Sequence, residues 1–147
     1  MGARRSGREA ALQMLFQIEA SGATADQAID LFWRSFAADA DPEGKAYADA
    51  CVRGVAGARD ELDKHIAGAS AHWRVERMAR VDRNVLRLGT WELAHRPDVP
   101  RAVVLDEAVE LAKAFGTDDS SAFVNGVLNR IADALGRVDE PPAAPAG

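Results

Sequence analysis

From Glu9 onwards, apolar residues recur at spacings of three and four, the period of an α-helix. Leu12, Leu15, Phe16 and Glu19 share one face of the first such stretch, and only the last is polar. "SGATAD" interrupts it, and Asp26 is the expected cap of a second helix carrying Ile29, Phe32, Trp33 and Phe36 on one side. After "DADPEG" the pattern predicts one long helix over residues 43–67, striped by Tyr47, Cys51, Gly54, Val55, Ala58, Leu62 and Ile66. A glycine on that stripe, Gly54, predicts close approach by a neighbouring helix. "GASAHW" is the expected joint between two halves, and "WRVERMARV" a short helical turn. Asp82 is then placed to cap the helix "RNVLRLGTWELAHR", which Pro97 stops. Past Pro100, Val104, Leu105, Ala108, Leu111, Ala112 and Phe115 form another apolar face, closed by Gly116 as a C′ residue. "TDDSS" supplies capping side chains for a last helix.

The stretch "FVNGVL" at residues 123–128 conflicts with this pattern, because Asn-Gly between apolar residues is a strong hairpin signal. Helical periodicity wins: Phe123, Val124, Val127, Leu128, Ile131 and Leu135 span an arc of roughly 140° at about 100° per residue. Strands of two residues on each side of the turn are too short to hold a sheet, and no other segment offers a partner. Asn125 and Gly126 therefore belong inside a helix, where Gly126 points to close approach by another helix or a ligand. The fold class is all-α. A flexible arm is expected over residues 1–8, where Gly2, Ser6 and Gly7 dilute the chain. One helical domain follows over 9–137, with halves of about 9–68 and 73–137. The Pro/Ala-rich tail at 138–147 is expected to be disordered.

Composition narrows the function. The 147 residues are 48% hydrophobic, with a formal charge of -5 and a pI near 5.2. Nucleic acid would therefore have to be met by a local basic patch. A single cysteine, Cys51, excludes an intrachain disulfide and suits a reducing compartment. The N-terminus lacks the apolar stretch of a signal peptide, and no apolar run approaches membrane-spanning length, so the expected location is the cytoplasm, with no membrane contact. His65, His72 and His95 show no metal-ligand spacing with one another or with Cys51, which reads as a buried structural thiol. No nucleotide-binding or nucleophile motif occurs, so neither catalysis nor a cofactor is expected. Glu92 falls within the apolar arc of its helix and must be paired there, as an acceptor for a backbone amide or an arginine. Arg4, Arg5 and Arg8 form a basic cluster of the residue type best suited to bidentate phosphate contact. Phe16, two turns beyond, offers a stacking face for single-stranded RNA. Arg80, Arg83 and Arg87 would lie within roughly 60° if one helix carried all three, a face for phosphate or for solvent.

"RRSGREAALQMLFQIE", "VDRNVLRLGTWELAHRPDVPRAVVLDEAVELAKAFG" and "DDSSAFVNGVLNRI" together resemble the NusB family of transcription antitermination factors, from about residue 4 to residue 135. The resemblance implies about seven helices in two packed three-helix halves. It implies binding of the boxA element of nascent ribosomal RNA leaders alongside NusE, a small-subunit ribosomal protein, with the RNA polymerase elongation complex reached indirectly. Carried onto this chain, it implies RNA contacts by Arg4, Arg5, Arg8, Phe16, Arg87 and Phe123, and a partner surface near Asp82 and Asp119. A homodimer that hides the RNA surface is a further possibility. Two other readings stay open: a helical protein adaptor without RNA contact, and a stand-alone relative of the RNA-binding part of rRNA cytosine methyltransferases. For the enzyme itself, nothing after residue 135 is expected to bind S-adenosylmethionine. With three arginines on the arm, the logarithmic salt dependence of RNA affinity is expected to have a slope of about -2, measured by filter binding across a salt series.

Overall fold

The computed structural model describes residues 2–36, 41–71 and 73–138. His72, and the expected tail beyond Val138, lie outside them. Among the described residues the chain forms seven α-helices and no strand: α1 (Ala3–Ser21), α2 (Ala25–Phe36), α3 (Pro42–Gly57), α4 (Arg59–Ala69), α5 (Arg80–His95), α6 (Arg101–Phe115) and α7 (Ser120–Ala134). A 3₁₀ turn, Val75–Arg77, joins α4 to α5. Asn125 and Gly126 lie in the second turn of α7, so periodicity outweighs the local turn signal.

The expected arm is helical from Ala3. Gly7 within it serves packing rather than flexibility. A Cβ on Gly7 would lie 2.6 Å from the Gly44 carbonyl oxygen, and one on Gly44 would lie 2.7 Å from that of Ala3. α1 and α3 thus cross backbone to backbone, and any larger side chain would force them apart. Thr24, rather than Asp26, caps α2. The Gln27 amide donates to Thr24 Oγ1 (3.1 Å) and the Thr24 amide donates to Gln27 Oε1 (2.9 Å), a reciprocal capping box. Asp26 sits in the first turn, where a carboxylate favours the helix dipole. Asp41 caps α3 by accepting from the Glu43 amide at 2.8 Å, with Pro42 in the first helical turn.

The long helix expected over 43–67 is broken at Ala58, whose φ and ψ are -115° and 16°. The Ala58 amide is shared between the carbonyls of Gly54 (3.1 Å) and Val55 (3.3 Å), and the ladder restarts when Leu62 N–H reaches the Ala58 carbonyl (2.9 Å). Gly57 immediately before the break lowers helix propensity there by about 1 kcal/mol. The redirection matters more: α3 packs on α1, whereas α4 carries Leu62 and Ile66 onto α5 and α7. Ala58 is thus where the chain turns from one set of neighbours to another.

α5 is the spine. Residues 84–93 are buried without exception, and the helix touches α1, α3, α4, α6 and α7. Both halves share it, and the apolar core runs through them without a break. It begins at Arg80, so Asp82 is a first-turn residue rather than the cap. Gly54 faces this spine as expected: a Cβ there would fall 2.2 Å from Trp91 Cε2. Gly126, in contrast, has nothing beyond its own stretch of helix within 4 Å of a Cβ position, so no other helix among the described residues approaches it.

These two glycines should respond in opposite directions. Gly54→Ala should lower unfolding free energy by about 1–3 kcal/mol, because Trp91 has to move. Gly126→Ala should raise it by about 0.5–1 kcal/mol, since the added methyl meets open space and the helix gains propensity. Denaturant unfolding followed by circular dichroism checks both.

Candidate nucleic-acid interface

The first two turns of α1 carry Arg4, Arg5 and Arg8, and the structure gives them different fates. Arg8 is only 3% exposed. Its guanidinium grips Glu92 on α5, with Nε at 3.1 Å from both carboxylate oxygens and Nη2 at 2.8 Å from Oε2. The Tyr47 hydroxyl, from α3, donates to the same carboxylate. The expectation that Glu92 must be paired is met by an arginine. Arg8, expected among the RNA contacts, points inward because this buried carboxylate requires a cation. Burial opposes the charge on Arg8, but the hydrogen bond and charge of Glu92 outweigh it and raise its pKa. Burial, reinforced by the Glu92 charge, also pushes up the Tyr47 hydroxyl and the Cys51 thiol, so both stay protonated. Cys51 is fully buried, as its place on the apolar stripe predicts.

Arg4 and Arg5 remain near the surface, with side chains 42% and 46% exposed. Arg4 lies over the Tyr47 ring, 4.8 Å from its centroid, as does Arg96 at 5.0 Å. Both also approach Asp98, Arg96 Nε at 2.9 Å and Arg4 Nη2 at 3.7 Å. The hydrogen bond from Arg96 holds the Asp98 carboxyl down at about 2. Arg5 Nε donates to Glu107 of α6 at 3.1 and 3.2 Å, and this contact holds the Glu107 carboxyl below its usual range. Arg4, Arg5 and Glu107, with Arg8, Val99, Pro100 and Val103, line a concavity of about 250 Å³.

The second arginine group lies on a single helix after all. Arg80, Arg83 and Arg87 of α5 converge on Glu19 of α1, with nearest nitrogen–oxygen distances of 3.4, 2.6 and 3.1 Å. Arg87 also forks onto Asp63 of α4 at 2.8 and 3.1 Å and is 4% exposed. Expected as an RNA contact, Arg87 instead ties α1, α4 and α5 together, because two carboxylates surround it. Burial disfavours ionisation of Glu19, but hydrogen bonds from Arg83, Asn84 and Arg87 prevail and hold its carboxyl at about 2.

Phe16 is half-buried against the core. Phe123 meets Trp73 edge to face with centroids 6.0 Å apart. These rings line a cavity of about 240 Å³ with Arg77, Met78, Ala79, Asp82 and Asp119. The structure therefore gathers Phe123, Asp82 and Asp119 in one place, and lines the arm's concavity with other residues. One oxygen of Asp82 is buried there without a hydrogen-bond partner. Sequence reasoning missed Trp73, which is 59% exposed. Its signal was a tryptophan in an otherwise small and polar joint. It also missed Asp98 and Glu107, whose roles depend on which helix ends meet. Among the described residues no group of three or more His, Cys, Asp or Glu is placed to hold a metal. No helix among them is long and apolar enough to cross a membrane.

A family model described as the NusB family matches residues 5–133. A transcription antitermination protein NusB of Sorangium cellulosum is 64% identical over 95% of this chain and 98% of its own length. The Myxococcus xanthus protein of the same name is 52% identical over 93% and 99%. Among solved structures, T. maritima NusB superposes with a TM-score of 0.82 at 37% identity, covering 90% of this chain and 92% of that one. A chain from the crystal structure of the antitermination factors NusB and NusE in complex with double-stranded RNA matches with a TM-score of 0.81 at 26% identity, covering 90% and 97%.

The Glu19 cluster predicts an acid limb in stability. The folded pKa, about 2, lies below the ordinary 4.5, so the stabilisation is fully present above 4.5 and is lost as pH falls towards 2. Glu19→Gln should lower stability at neutral pH and flatten the decline between those values, read from thermal unfolding midpoints across a pH series.

Proposed function

The chain belongs to the NusB family of transcription antitermination proteins, and we propose that it binds the boxA element of nascent ribosomal RNA leaders together with NusE, so that RNA polymerase, reached through that partner, elongates past premature stops. The observation that carries this reading is the likeness, over 90% of the chain, to a protein solved with NusE and double-stranded RNA. The mechanism is assembly, with no bond made or broken and no cofactor. It takes place in the cytoplasm, where transcripts emerge.

Arg4 and Arg5 are the phosphate contacts, side by side in the first turn of α1 and still open to solvent. Arg8 and Arg87 act indirectly: each fixes α1 to the spine and so aims the first turn. Phe123, with Trp73 beside it, supplies an aromatic edge for unstacked bases. Phe16 supports the helix face between. Asp82 and Asp119 put negative charge around the Trp73–Phe123 cavity, which suits a basic ribosomal protein docking alongside the RNA. A homodimer would cover this same region and release it when NusE arrives.

Filter binding to a boxA-like RNA, with and without NusE, tests the reading. Replacing Arg4 and Arg5 together by alanine should weaken binding by about tenfold at moderate salt, and more weakly when NusE is present. Because Arg8 is internal, the logarithmic salt slope should be no steeper than about -1.4, two contacts at about 0.7 each, rather than about -2. Unchanged affinity in the double variant would remove the arm from the RNA surface. A lack of sequence preference even with NusE would favour the protein-adaptor reading.

A further inference from the structure

Every arginine of the arm already has a carboxylate. Arg4 approaches Asp98, Arg5 clasps Glu107, and Arg8 holds Glu92 while reaching Glu107 at 3.5 Å. These carboxylates differ in how firmly they are anchored. Glu107 is built into the wall of α6, its side chain only 12% exposed, while Arg5 extends across the surface to meet it. Asp98 is fixed by the fork of Arg96, both nitrogens at 2.9 Å, and leaves Arg4 at 3.7 Å, beyond hydrogen-bond reach. The acids are therefore stationary and the two outer arginines are the movable partners.

We propose that Glu107 and Asp98 are internal stand-ins for phosphate, which occupy Arg5 and Arg4 until RNA displaces them and thereby set how much RNA affinity the chain shows by itself. The inference rests on the reading that the arm contacts RNA. A carboxylate presents two oxygens to a guanidinium fork much as a phosphate does, so the exchange is nearly like for like. The order of exchange follows from geometry. Arg4, held only by charge and by the face of Tyr47, is recruited first. Arg5 must give up three hydrogen bonds to Glu107, two from Nε and one from Nη2, and follows. Arg8 does not exchange, because leaving Glu92 would strand a buried charge. The exchange also alters the ion count. A phosphate that gains an arginine sheds condensed cations, but the carboxylate left behind attracts one from solution. The salt dependence is then shallower than the number of contacts alone would give.

The test measures boxA-like RNA binding by the chain without NusE, over a salt series, with unfolding midpoints taken for each variant. Glu107→Gln should tighten binding on the order of threefold, the scale of a partly exposed ion pair, and steepen the salt slope by about 0.7. Asp98→Asn, at an exposed position, should tighten it by less and carries the test should Glu107→Gln fold poorly. Each gain should vanish when its own arginine is already alanine, Arg5→Ala for Glu107 and Arg4→Ala for Asp98. Glu110→Gln is the control, one turn along α6 and facing Lys113 at 3.8 Å, and should change affinity much less. Equal gains from Glu107→Gln and Glu110→Gln would overturn the proposal in favour of general charge. So would arginine variants that weaken RNA binding while Glu107→Gln and Asp98→Asn leave it unchanged. If the arginine variants themselves have no effect, the RNA reading of the arm falls first and the proposal falls with it.

Discussion

A single carboxylate deep in the bundle, Glu92, determines how the N-terminal helices sit on the rest. It is on the helix that packs against α1, α3, α4, α6 and α7, at a position where desolvation would cost several kcal/mol if the charge stood alone. Arg8 from α1 and Tyr47 from α3 answer it from two directions. The backbones can come close enough for this only because Gly7 and Gly44 present no side chains where α1 crosses α3. Ion pair and crossing are one device. The fork orients α1 about its axis and holds Arg8 at the depth of the buried carboxylate, while Arg4 and Arg5 lie about one turn nearer the helix end and stay partly open to solvent.

The same logic applies at the other end of α1. Glu19 collects Arg80, Arg83 and Arg87, and Arg87 passes the connection to Asp63 on α4. α1 is thus fastened to α5 by charge near both ends, with Leu12, Met14 and Leu15 buried in the core between them. For a chain of net charge -5, arginine is spent largely on internal order.

Much of this fold was legible in the chain. Helix identity followed from spacing, because burial of one face leaves a period that a turn signal such as Asn125-Gly126 does not erase. Gly54 announced its close neighbour, and Glu92 its need for a partner, since both break a rule that holds elsewhere on their helices. The break at Ala58 was not legible, because Val55, Ala58 and Leu62 keep helical spacing across it and only the tertiary target changes. The separation of Arg8 from Arg4 and Arg5 was hidden for a similar reason. Adjacent arginines look alike in sequence, and which one turns inward depends on a carboxylate 84 positions away. Trp73 and Phe123 could not be paired from sequence, as their meeting depends on how the segment after α4 returns over α7.

The sharing of α5 between the halves bears on how the chain comes off the ribosome. α1 and α3 emerge well before the helix on which both pack, so the faces they turn to it stay wet, and Tyr47 lacks its acceptor, until residue 95 is out. The first half then has no finished interior to fold around during synthesis. Native order should arrive late and nearly at once, in a polypeptide whose early helices wait for a later one to give them something to close upon.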